Sequence, residues 1–532
     1  MSISEKSLAQ SALIITGAIA VSRILGLVRE SIIAHEFGTS AEYDAFLVAF
    51  LIPHLLRMLL AEGALSAAFV PLFSEYLHKG RDLAYRFASN VLVVSLLVFP
   101  IVILLGVWLG PKYIPFLADG FNPEKIKLTA ELTRITMPFI MLMGMAAILM
   151  GIHNSQENYF APAFASIFFN VGMIIGGWWI APYVQPHIMG LAWGVLIGGA
   201  GQLLFQLPFL NGYFKFRPVL DLGDQGLQRL AGLMLPTVLG LVVVELNMLV
   251  DYKLGSRLGD GQIASMQYAI RIFQLPLGLF AVALATALFT HLSRCATPDK
   301  RDDFVATLRN GLCLGALILF PAAMGMIALG MPVVSLLFEH GRFGPEDTLR
   351  TFSVLRLLGL ALIGYGMSLL LARAYYALQD TRTPVFVSAV AFVVNIALAL
   401  VLVGPLSIQG LTLATAVAGL TQMVLLAVIL QRKLKIPFIS QIAPVLAKIL
   451  LFAVVMGGVV YLLDGALVAA QMGVFIRVVA GMLTGTLVYG LLAWRSGLLE
   501  EFFEPLSAKI EQVLGRVPKP RARITGEKPL HE

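Results

Sequence analysis

Long apolar runs follow one another from near the N-terminus to about Gly497, each separated from the next by a short polar connection. Many reach the roughly 20 residues that span a bilayer core as a helix. They predict about fourteen spans, over residues 8–36, 44–77, 86–110, 127–152, 160–181, 187–211, 228–252, 262–292, 304–330, 348–378, 384–403, 408–431, 440–463 and 470–496. A transmembrane β-barrel would instead alternate apolar and polar residues over segments of about ten, and no such segments occur. The pattern predicts an all-α integral membrane protein.

The runs also repeat. GMAAILMGIHNSQENYFAPAFAS, from Gly144 to Ser166, resembles GMSLLLARAYYALQDTRTPVFVS, from Gly366 to Ser388, with Pro162, Phe164 and Ser166 matching Pro384, Phe386 and Ser388. Six spans separate the copies, an even number, so both cross the membrane in the same sense, related by a pseudo-two-fold axis along its normal. The chain divides into an N-terminal lobe of six helices (1–220), a C-terminal lobe of six (221–437), two additional helices (438–500) and a basic tail (501–532).

Composition agrees with the pattern: of 532 residues, 58% are hydrophobic and only 13% charged. The placement of the net charge of +7 says more than its size. Lys79, Arg81 and Arg86, then Lys215, Arg217 and Arg229, then Arg294, Lys300 and Arg301, then Arg382, then Arg432, Lys433 and Lys435 all fall in loops on the side of the termini. Fewer basic residues lie opposite, which predicts cytoplasmic termini. Basic residues confined to loops and tail argue against nucleic-acid binding. The N-terminal apolar segment continues past Arg23 and reads as an uncleaved span. Cys295 and Cys313 form no disulfide framework or metal site.

Charges within the spans carry the functional signal. Arg23, Arg29, Glu30, Asp44, Arg57 and Glu62 interrupt the first two runs, and Arg271 the eighth. A central Arg costs about 2.5–3.5 kcal/mol on insertion scales, so such residues face an aqueous or protein-lined cavity. Four arginines converging from two lobes would suit a diphosphate, which guanidinium groups bind in a bidentate manner. Snorkelling, or structural pairing with Glu30, Asp44 or Glu62, is the alternative. Gly26, between Arg23 and Arg29, permits a bend in the first helix. Asp44 either caps the second span or partners an arginine. Pro53 and Pro276 kink their helices and free carbonyls. Glu245, Asn247 and Asp251 in the seventh span, with Asn395, Thr412 and Thr415 in the eleventh and twelfth, offer either oxygen ligands for Na⁺ or a proton carrier, or else hydrogen bonds between helices. Glu339 to Gly344 reads as a structural external loop, and the tail from Arg516 to Lys528 as a contact for anionic lipid. No hydrolase motif, nucleotide loop or Mg²⁺-binding acid cluster is present, which argues against an enzyme or an ATP-driven pump.

Several motifs together resemble the MurJ/MviN family of lipid II flippases. They are Ser22-Arg23 with Leu25-Gly26 and Arg29; Phe37-Gly38 with Asp44-Ala45-Phe46; Pro53 with Leu55-Leu56-Arg57; Glu62-Gly63-Ala64 with Ser66 and Ala68-Phe69-Val70-Pro71; Tyr268-Ala269 with Arg271 and Pro276; Gly341 with Phe343; and Gln379-Asp380 with Thr383-Pro384. The resemblance implies two lobes around a cationic cavity, a groove for the polyprenyl tail formed by the last two helices, and transfer of lipid II from the cytoplasmic to the periplasmic leaflet of the inner membrane by alternating access. Lipid II is the undecaprenyl-diphosphate-linked MurNAc-pentapeptide-GlcNAc precursor of peptidoglycan, so the implied role is cell-wall biogenesis and cell shape. Arg23, Arg29, Arg57 and Arg271 match the cavity arginines, with Ser22, Gly26, Glu30, Asp44, Pro53 and Glu62 in support. Membrane lipids and cell-wall synthesis proteins are the implied partners. No cofactor is implied, only coupling to membrane potential, Na⁺ or H⁺. The chain departs from the family at Glu30, Met58 and Ile270, and at Ala399, near which an acid of the eleventh span is missing, so a sodium site is weakened. Exporters of other lipid-linked sugars or drugs, and a membrane-embedded polyprenyl-diphosphate enzyme, remain the alternatives.

Overall fold

The computed structural model describes residues 3–59, 65–212 and 214–498; Glu62 and the tail from 501 onward lie outside them. The helices are α1 (Ile3–Phe37), α2 (Ala41–Leu56), α3 (Ser66–Lys79), α4 (Arg81–Leu117), α5 (Pro123–Thr136), α6 (Phe139–Asn154), α7 (Phe160–Ile174), α8 (Ile188–Gln206), α9 (Gln225–Ser256), α10 (Gln262–Pro276), α11 (Val282–Cys295), α12 (Arg301–Phe338), α13 (Pro345–Ala377), α14 (Arg382–Leu406), α15 (Ile408–Leu434), α16 (Phe438–Ala469) and α17 (Val474–Arg495). No strand occurs among the described residues. Among the described residues, eleven helical units are long and apolar enough to cross a membrane. Since α1, the α2 and α3 pair, and α9 fall outside that set, the fourteen spans remain a reading of hydropathy.

Local chemistry sets the helix ends. The Ser40, Asn122 and Asp224 side chains accept hydrogen bonds from the Tyr43, Lys125 and Leu227 amides, each satisfying a first-turn donor. Pro123 and Pro345 occupy first helical positions, where no intrahelical donor is lost. Within α2 and α10, Pro53 and Pro276 withhold their N–H groups from the preceding turn, and wide, π-type turns follow at residues 57–59 and 277–281. By contrast α1 runs unbroken through Gly26, so the bend considered there does not occur as a break.

Corresponding helices open at Arg81 and Arg301, at Pro123 and Pro345, and at Phe160 and Arg382, each pair about 220 residues apart. Packing keeps to chain neighbourhoods: α1 lies on α7, α7 on α8 and α2 on α5, whereas α13 lies on α12 and α15, and α14 on α15. Glycines bring α7 and α8 into backbone contact, and a Cβ on Gly172 would fall 2.2 Å from the Gly198 nitrogen. Leu104, Val401 and Leu462 belong to a broad exposed apolar surface, as a lipid-facing exterior demands. Both α16 and α17 rest against α12.

Candidate substrate cavity

Helices α1, α2, α7, α9 and α10 enclose a cavity of about 400 Å³. Arg29 and Glu30 line it from α1, His54 from α2, and Arg271 from α10. Arg29 Nη2 donates to Glu30 Oε1, and Arg271 Nε lies 3.0 Å from the same oxygen, an ion pair too bent for a hydrogen bond. Arg29 Nη1 donates to Asn170 Oδ1 at 2.9 Å, and Asn170 Nδ2 donates to the Ser22 carbonyl at 3.1 Å. Glu30 thus stands between two guanidiniums and leaves that wall with surplus positive charge. Arg29 Nε and Glu30 Oε2 are buried without hydrogen-bond partners among the described residues. Such atoms are costly unless a ligand or water answers them.

An adjoining cavity of about 390 Å³ shares Arg29, Glu30, Arg271 and Gln274 and adds Arg23 and Gly278. A Cβ on Gly278 would lie 2.9 Å from Arg23 Nη2, so the missing side chain makes room for the guanidinium. On another side Asp251 also borders a recess of about 160 Å³ with Thr412 and Thr415. Asn395 Nδ2 donates to Thr415 Oγ1 at 3.2 Å.

Beyond Tyr43 the molecule is shut. Asp44, fully buried, accepts from Lys125 Nζ at 3.0 Å and from the Gly261 and Ala264 amides at 2.7 and 2.8 Å. It therefore caps α10 in the other half of the sequence, where its charge meets the helix's positive end. This corrects both readings of Asp44: Ser40 caps α2, and the ionic partner is a lysine. The segment 339–344 closes over the same end. Arg342 N donates to the His35 carbonyl at 2.8 Å, and Phe343 is buried against Tyr268. Gly38 and Gly341 both have positive φ, and a Cβ on either would meet opposing backbone at 2.7 and 2.4 Å, so this tight crossing excludes side chains. The stretch read as a mostly structural external loop is part of a closure between the two halves.

The family model described as lipid II flippase MurJ matches residues 33–481. The chain belongs to the MurJ lipid II flippase family. A probable lipid II flippase MurJ from Vibrio cholerae is 34% identical over 79% of this chain and 82% of its own length. One from Thermotoga maritima is 32% identical over 88% and 94%, and the lipid II flippase MurJ of Burkholderia cenocepacia is 31% identical over 80% and 84%. A solved lipid II flippase MurJ in an inward closed conformation matches with a TM-score of 0.77 and 29% identity, over 93% of this chain and 99% of that one. An inward-facing multidrug transporter of the MATE family shares the fold, with a TM-score of 0.66 at 15% identity, over 78% of this chain and 94% of that one. The family is one of transporters, not enzymes.

Arg23, Arg29, Glu30 and Arg271 come together around these two cavities, and Ser22 joins them through Asn170. Arg57 sits at the wide turn after Pro53, 3.5 Å from His54 Nδ1, one step from the main cavity. Glu62 lies outside the described residues. Glu245, Asn247 and Asp251 face the cationic cavity, and only Asp251 also reaches Thr412 and Thr415. Ala399 is fully buried. Sequence reasoning missed Asn170, His54 and Lys125; the first two are visible as polar residues inside apolar runs, but Lys125 lies between runs, where a lysine carries no such signal. An apolar groove of about 740 Å³, bordered by Pro276, Pro321, Met456, Gly485 and Tyr489, runs between α10, α12, α16 and α17.

Proposed function

We propose that this chain flips lipid II, with Arg23, Arg29 and Arg271 receiving the diphosphate and Arg57 extending the cationic path. The observation that carries the assignment is the pair of arginines from different halves of the chain on one carboxylate, Glu30. A diphosphate offers more acceptor oxygens than that carboxylate and would draw both guanidiniums to itself. The apolar groove beside α16 and α17 would hold the polyprenyl tail while the headgroup crosses. In this reading residues 1–220 and 221–437 are the two moving lobes, 438–500 the tail groove, and both termini lie in the cytoplasm of a bacterium whose inner membrane holds the protein. The closure around Asp44 then faces the periplasm.

Direction would come from membrane potential acting on the cavity charges, or from Na⁺ or H⁺ at Asp251, Thr412 and Thr415. Asn395 supports that recess, and Glu245 and Asn247 line its approach. The recess holds a single acid among these residues, which favours a proton over a sodium ion.

The test is the fraction of lipid II exposed outside cells depleted of their own flippase and expressing the parent or Arg271→Ala at matched levels. Exposure restored by the parent and lost in the variant is the expected result. A folded, inserted parent that restores nothing would overturn the assignment.

A further inference from the structure

A second cationic recess lies far from the cavity, at the end of the molecule bearing the basic loops. About 330 Å³ in volume, it sits where α11, α12, α13 and α15 end or begin. Its floor is apolar, with Phe304, Leu378 and Leu434, and its rim carries Arg301, Lys433 and Lys435. Lys433 is already answered by Asp380 at 2.6 Å. Arg301 and Lys435 are exposed and make no ion pair with any described residue. Lys435 is also one of few non-glycine residues at positive φ (50°). It terminates α15 in a left-handed conformation that usually favours glycine. A strained lysine kept at a helix end, on the rim of a recess with another unpaired cation, points to an anionic ligand.

We infer that the recess formed by Phe304, Leu378 and Leu434 beneath Arg301 and Lys435 binds the headgroup of an anionic phospholipid. The apolar floor takes the glycerol and first methylenes, and the two cations take the phosphate. A soluble phosphate compound would use the cations but leave the floor unfilled. This site is separate from the transport cavity and involves none of its residues.

The recess contains its own reporter. Cys295 lines it and is partly exposed, whereas Cys313, the chain's other cysteine, is buried. The full-length chain in nanodiscs of phosphatidylcholine, with or without phosphatidylglycerol, is treated with a neutral maleimide, and the rate at Cys295 is followed by mass spectrometry. Phosphatidylglycerol should slow the reaction severalfold. In Arg301→Gln/Lys435→Gln, which loses two contacts near the surface, about tenfold or more lipid should be needed for equal protection. Equal rates in both lipids would overturn the inference. So would equal slowing in parent and double variant, which reports surface potential alone. Protection by inorganic phosphate in pure phosphatidylcholine, with no further effect of phosphatidylglycerol, would assign the recess to a soluble anion instead.

Discussion

Asp44 and Glu30 are both acids buried among apolar residues, and both join the two halves of the chain, yet they are completed differently. Asp44 has a lysine and two backbone amides on its oxygens. Glu30 has two arginines crowded on one oxygen, while its second oxygen and Arg29 Nε lack hydrogen-bond partners among the described residues. A fully satisfied buried charge rigidifies; a partly satisfied one costs energy until something else completes it. The first arrangement suits a latch, the second a site awaiting an anion.

Breaking the latch should have the largest effect. Asp44→Ala leaves Lys125 with only the exposed Asp260, at 2.8 Å, and uncaps α10, a loss of about 3 kcal/mol from the closed form. Amide exchange at Gly261 and Ala264 should accelerate by about a hundredfold or more. Exchange at the parent rate would remove Asp44 from the latch.

Arg271→Ala should separate binding from folding. It removes one charge-assisted contact to a diphosphate, about 1.5–3 kcal/mol, and should weaken binding of a diphosphate headgroup about 10- to 100-fold. Because Glu30 keeps Arg29, the thermal midpoint should move by only a few degrees. A collapse of stability with unchanged binding would show Arg271 to be structural.

Asn170→Ala sharpens the same contrast at smaller scale. Arg29 loses its positioning bond, and headgroup affinity should fall by about 1 kcal/mol, with the amide exchange of the Asp44 end unchanged.

The smallest effect belongs to the exposed rim of the closed end, where Arg257 donates to both Asp119 oxygens at 2.8 and 2.5 Å. Arg257→Ala should cost less than about 1 kcal/mol. These hydrogen bonds hold the Asp119 carboxyl below its usual range. Its contribution is therefore present above the ordinary carboxylate pKa and disappears as pH falls through the lowered value. Thermal midpoints of parent and variant should differ at neutral pH and converge in strong acid; a difference persisting there would assign the effect to packing of the arginine stem.

Much of this was legible along the chain because a bilayer penalises polarity so strongly. Arg29, Glu30 and Arg271 stand out wherever their partners lie, since an ion amid apolar residues demands a cavity or a counter-charge. Lys125 was not legible: near the start of a helix it looks like any loop cation, and only folding places it against Asp44. Asp44 misled for the opposite reason. An acid beside a helix start suggests a local cap, and nothing in its neighbours indicates that the amides it accepts belong to Gly261 and Ala264.

What the sequence by itself determined was therefore the class of molecule, the repeat and the residue types able to meet an anionic cargo, all consequences of short-range periodicity and the bilayer's dislike of charge. Tertiary structure alone decided which charges complete one another. It made Asp44 a clasp between halves and left Glu30 and its arginines unfinished, because hydrogen-bond satisfaction depends on donors brought within 3 Å from distant parts of the chain.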